Sequence, residues 1–195
     1  MTIKFVHFRG KMGGFFSDVG KAKKMFKVGD YVVYGNSGVC RIEEIGPLSI
    51  GNKDKDYYTL VPVYGRNSRL YTVVDSDKVV IRPIMTRQES DALIDEMENI
   101  DILRIGDEKN REEIYKETMK SCDCKAWVQM IKTLYLRKLD RQAKGKKVTS
   151  SDERYLSMAQ DNLYGELAFS LQMSKEKVGE FISERISRKR EALNV

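Results

Sequence analysis

Asp30-Tyr31-Val32-Val33-Tyr34, Gly35-Asn36-Ser37-Gly38 and Val39-Cys40-Arg41-Ile42-Glu43-Glu44-Ile45 stand in succession, and they decide the fold. A β-branched and aromatic run is followed by a glycine-bounded turn able to supply positive φ. A second run then mixes apolar and polar positions, as a half-buried strand does. The texture continues. Gly51 to Asp56 is a polar turn, and Tyr57-Tyr58-Thr59-Leu60-Val61-Pro62-Val63-Tyr64 is a third strand in which Pro62 predicts an edge or a bulge. Gly65 to Ser68 turns into Leu70-Tyr71-Thr72-Val73-Val74, and Asp75 to Lys78 turns into Val79-Val80-Ile81-Arg82. Five hairpin-linked strands within about sixty residues predict a small closed or nearly closed barrel.

Pro83 ends the β texture and a helical one begins. Thr86-Arg87-Gln88-Glu89 has the form of a capping box, after which Leu93, Ile94 and Met97 share a face. Asn99 to Gly106 reads as a connection carrying Ile102, Leu103 and Ile105. A helix is expected from Glu108 to Lys120, broken by Ser121-Cys122-Asp123-Cys124. Trp127, Met130, Ile131 and Leu134 then form an inward stripe. Ser150 to Glu153 offers a second capping box before a long helix presenting Leu156, Ala159, Leu163, Leu167 and Leu171. Ser174 caps a last helix with Val178, Phe181, Ile182 and Ile186 inward. The fold class is therefore α+β in two domains. Residues 25–84 form the barrel and 85–195 an all-α domain, behind a leader of residues 1–24 that reads as disordered or as sequence upstream of a start at Met25.

Residue chemistry narrows function. The chain of 195 residues has one histidine, His7, which lies in that leader. The rest lacks the usual general base and the commonest metal ligand. Cys40, Cys122 and Cys124 are too few and too badly spaced for a closed zinc site, so no metal, cofactor or small-molecule substrate is expected. No glycine-rich phosphate loop or nucleophile elbow is present. Binding, not turnover, is the expectation. An apolar run of roughly 20 residues is lacking, which argues against a membrane span; three cysteines fit a reduced, cytoplasmic setting.

The net charge of +6 is unevenly spread. Residues 1–24 carry six Lys/Arg against one Asp, and 25–131 carry fifteen basic against nineteen acidic groups. Residues 132–154 carry eight basic against three acidic, and the remainder balances. That basic segment contains Lys132, Arg137, Lys138, Arg141, Lys144, Lys146, Lys147 and Arg154. A localised stripe of this kind is the electrostatic footprint of a polyanion binder, against the plainer alternative of a solvated helix face. Trp127 reads as a core anchor because its helical neighbours are apolar.

Phe26-Lys27-Val28-Gly29-Asp30-Tyr31-Val32-Val33-Tyr34-Gly35, followed by Gly38-Val39, resembles the opening strand of the bacterial CarD/CdnL-like transcription regulators, whose first domain is shared with the transcription-repair coupling factor. Lys132-Thr133-Leu134-Tyr135-Leu136-Arg137, Arg154-Tyr155-Leu156 and Gly165-Glu166-Leu167-Ala168 resemble that family's late helices in order and spacing. The resemblance implies a Tudor-like barrel that docks by a strand edge on the β subunit of RNA polymerase. It implies a helical domain that touches promoter DNA and shifts open-complex stability. Carried onto this sequence, the polymerase face comprises Tyr34, Leu48, Tyr58, Leu70, Tyr71 and Thr72. The phosphate set comprises Arg137, Lys138, Arg141, Lys144, Lys146, Lys147 and Arg154. Two departures follow. Asp107-Glu108 stand where much of the family has a tryptophan that wedges into the minor groove, which leaves Leu103 and Ile105 as candidate wedge residues. Near Leu48 and Tyr71, docking is expected to be more apolar than charged. The rival reading is an adaptor that binds polymerase or another protein without touching DNA.

Overall fold

The computed structural model describes residues 26–49, 54–65 and 68–193. The leader expectation, and part of the turn between the second and third strands, lie outside the described residues. Five antiparallel strands, β1 (Tyr31–Tyr34), β2 (Val39–Pro47), β3 (Asp56–Pro62), β4 (Leu70–Val73) and β5 (Ile81–Pro83), form one sheet in the order β4-β3-β2-β1-β5. A helical region follows: α1 (Arg87–Glu96), α2 (Arg111–Lys120), α3 (Cys124–Ala143), α4 (Ser150–Leu171) and α5 (Val178–Leu193). This is the expected α+β architecture.

The sheet curls around Phe26, Val32, Cys40, Ile42, Tyr58 and Leu60. It stops short of closure. Between the ends of β4 and β5 lies a cleft of about 260 Å³ lined by Phe26, Tyr58, Val74, Val79, Val80 and Ile81. Pro62 marks no edge strand, because β3 lies between β2 and β4. The last β3–β4 pair is Leu60↔Leu70, so the proline lies past the end of that ladder, where its missing N–H breaks no pairing with β4. A bulge does occur, but on β2: Ile42 opposes Leu60 and Glu44 opposes Thr59, leaving Glu43 as the extra residue.

The period-two alternation of β1 joins the halves. Val32 and Tyr34 face the barrel interior, whereas Val33 belongs to the helical core and Tyr31 packs against Phe169 of α4 with ring centroids 4.6 Å apart. Gly165 lies where a Cβ would approach the Tyr64 ring to 3.2 Å, so glycine lets α4 come down on the end of β3. Next to it, fully buried Glu166 takes both ends of Arg82 from β5, at 2.6 and 2.7 Å. Glu166 also accepts from the Met85 backbone N–H at 2.9 Å and from the Cys124 thiol at 3.1 Å. Arg82 Nε donates to the Cys122 carbonyl at 2.7 Å. One carboxylate thus ties β5, the start of α1, the α2–α3 turn and α4 together.

The helix ends follow their caps. Thr86 and Glu89 form the expected capping box. The cap of α4 is Thr149, one residue earlier than expected: its hydroxyl accepts from the Asp152 N–H at 3.1 Å, because the Asp152 side chain turns inward. Cys122 adopts φ 53 in the break between α2 and α3, and Asp123 caps α3. Trp127 is in the core, as expected.

Removing the Glu166 carboxylate strands Arg82 at a partly buried site. Glu166→Ala is expected to lose about 3 kcal/mol in urea denaturation, and a loss under about 1 kcal/mol would show that the halves are held by apolar packing alone. Burial pushes the Cys40 thiol up to about 12 and raises Cys122 and Cys124 as well. All three should therefore resist a thiol reagent near pH 8 until the chain unfolds.

Candidate functional site

Among the described residues β4 is an unpaired sheet edge, and an open row of N–H and C=O groups is a template for strand addition. The polymerase-face residues divide around it. Tyr71 points outward from β4 and is 50% exposed. Leu48 is half-buried just past the end of β2, and Leu70 is half-buried against the barrel core. Tyr34 packs inward as well. Tyr58 and Thr72 are corrections: at 3% and 9% exposure they are interior residues that form a cross-strand pair. Tyr58 accepts the Phe26 backbone N–H on its hydroxyl at 3.2 Å and meets the Phe26 ring edge-on. In an open strand alternate side chains share a face, and Tyr71 is the exposed residue of β4.

The basic stripe resolves into covered and open groups. Arg137 gives both terminal nitrogens to Glu108, at 2.6 and 3.0 Å, and its Nε lies 3.4 Å from Asp152. Arg154 reaches Glu112 at 2.6 Å and lies 4.8 Å over the Tyr155 ring. Lys144 pairs with Asp140 one helical turn back. Arg141 holds the Lys147 carbonyl through Nε at 2.7 Å. Among the described residues, Lys138, Lys146 and Lys147 carry no side-chain ion pair, and the last two occupy the exposed turn between α3 and α4 with Gly145 at φ 64. Lys132 leaves the stripe entirely. Its ammonium donates to the carbonyls of Met97, Glu98 and Ile100.

Beneath the covered arginines is a small ionic cluster. Asp152, 1% exposed, lies within 3.7 Å of Arg111 and 3.4 Å of Arg137. Burial, with the nearby Asp152 charge, pushes the Tyr115 phenol up to about 12. The hydrogen bonds from Arg137 hold the Glu108 carboxyl below its usual range.

Leu103 and Ile105, the candidate wedge residues, are half-buried. Both pack against the helical core, and the Leu103 backbone N–H is fixed to Thr133 Oγ1 at 2.8 Å. Their neighbour Ile102 faces outward. A second apolar surface escaped the sequence reading: Tyr135, Leu136 and Leu139 are all exposed on α3, beside the stripe. The signal was present, since these residues sit on a helix face that otherwise reads polar. The acidic partners Glu108 and Glu112 were not findable that way, because they lie 29 and 42 positions from the arginines they hold.

Among the described residues, no three His, Cys, Asp or Glu side chains converge as metal ligands, and no helix is long and apolar enough to cross a membrane. Residues 26–85 match the model of the CarD-like/TRCF RID domain. That stretch belongs to this family. No curated protein matches the chain. The RID domain ends just after β5, with Arg82 in the clasp on Glu166. A domain of this kind supports interaction with RNA polymerase.

Tyr71 and Tyr58 should separate docking from folding. Tyr58→Ala is expected to lose about 3 kcal/mol in thermal or urea denaturation, as a large core truncation does, whereas Tyr71→Ala should stay within about 0.5 kcal/mol of the parent. Equal losses would mean that Tyr71 is part of the fold.

Proposed function

We propose that this chain is a non-enzymatic, cytoplasmic transcription regulator that docks on the RNA polymerase β subunit and modulates promoter open-complex stability through its helical domain. The observation that carries the reading is the RID domain's free β4 edge with Tyr71 outermost. Strand addition would supply main-chain hydrogen bonds, and Tyr71 an apolar anchor beside them. The DNA contact rests on Lys138, Arg141, Lys146 and Lys147, the part of the stripe whose charge is not spent on a carboxylate. Without an aromatic at Asp107-Glu108, these groups would act by holding phosphates near the melted region, and base unstacking has no obvious agent.

A second reading, an adaptor that binds polymerase without direct DNA contact, is favoured by the pairing of Arg137 and Arg154 with Glu108 and Glu112. The two diverge in one assay. Open-complex lifetime on a ribosomal promoter is measured with purified cognate polymerase, with and without the full chain. The regulator changes the lifetime, Tyr71→Glu abolishes the change, and the pair Lys146→Glu and Lys147→Glu weakens it while polymerase binding persists. An unchanged lifetime with polymerase bound would establish the adaptor.

A further inference from the structure

We propose that the 3-10 turn Glu108–Asn110 and the first turn of α2 form a built-in competitor for phosphate: Glu108 and Glu112 occupy the anion positions of Arg137 and Arg154 and withhold both arginines from DNA until a polyanion displaces them. The inference rests on the DNA-contacting reading above and concerns how strongly that contact is made.

Each arginine is placed from behind and covered from in front. Arg137 is held at Nε by buried Asp152, while both terminal nitrogens face Glu108. A guanidinium forked onto a carboxylate has the geometry of one forked onto a phosphate, so Glu108 stands where a phosphate would go. Arg154 lies over the Tyr155 ring and offers Nη2 to Glu112. Neither back contact need break for the front one to be exchanged. The carboxylates are the replaceable parts, being 61% and 55% exposed as side chains. Without Glu108, Arg111 and Arg137 would share only Asp152, leaving one uncompensated positive charge toward solvent. Exposed pairs of this kind are weak, so a densely charged backbone can outcompete them. Acid is an ineffective key. Arg137 holds the Glu108 proton affinity below the usual carboxyl range, so mild acid does not release the cover.

The test is fluorescence anisotropy of a forked promoter duplex with the full chain across a salt series. It compares the parent, the double variant Glu108→Gln with Glu112→Gln, and a control with Glu113→Gln and Glu117→Gln. The control makes the same change in net charge on α2, but its carboxylates pair with Lys116 and Lys120. Circular dichroism confirms the fold of each. The competitor predicts about five-fold tighter binding for the Glu108/Glu112 variant, a salt slope steeper by close to two phosphate contacts, and little change for the control. Equal affinity and slope in parent and variant, or the same gain from the control, overturns the competitor and leaves the DNA reading standing. Binding by the variant alone supports the competitor. If no form binds even at the lowest salt, the competitor falls, and the DNA reading is decided by the open-complex assay alone.

Discussion

The structure depends on a carboxylate with no access to water. Glu166 is fully buried and receives two hydrogen bonds from Arg82, one from the Met85 backbone and one from the Cys124 thiol. Ionised groups are costly to bury, and such a pair adds little net stability over a well-packed apolar replacement. Its effect is geometric. An apolar contact tolerates sliding, whereas a forked guanidinium–carboxylate pair does not. The last strand of the RID domain, the turn before α3 and the last turns of α4 are therefore held in one register. The sheet's orientation against the helices is set there, and so is the angle between the β4 edge and the α3–α4 hairpin.

That clasp explains which parts of the fold were legible. Gly165-Glu166-Leu167-Ala168 stood out in the sequence, and each member has a physical reason: close approach to Tyr64, the hold on Arg82, and two buried apolar contacts. Local signals also served well. The Thr86–Glu89 capping box, the Trp127 stripe and the alternation of β1 involve residues a few positions apart, where spacing alone carries the information. Tyr58 was misplaced because a run of aromatic and β-branched residues does not announce which parity faces in. The register with Thr72 and the Phe26 contact settle that, and both are non-local. The cap of α4 moved from Ser150 to Thr149 for a similar reason, since Asp152 is drawn inward by arginines from α2 and α3.

Charge was the least legible property. Counting residues gave a basic segment, but a count does not know its neighbours. The acidic stretch Glu108 to Glu112, leading into α2, lies across that segment and pairs with Arg137 and Arg154, while Lys132 is spent on carbonyls at the end of the short 3-10 turn Met97–Asn99. What stays open is concentrated near the α3–α4 turn. The sheet meets α4 around Asn162 to Phe169, and the turn stands a dozen residues away, about 18 Å along the helix.

The separation bears on how a weak contact could matter. Three or four open cations give only weak, salt-sensitive affinity for free duplex, of the order of 10⁻⁴ to 10⁻⁶ M at best. Docking through the β4 edge changes the comparison. A surface tethered beside a promoter meets it at an effective concentration near the millimolar range, above the dissociation constant of even a poor phosphate site. In the proposed function the helical hairpin need not find DNA in solution. It need only be presented to DNA by polymerase, and a covered, weak basic tip then favours the bound complex over the rest of the genome.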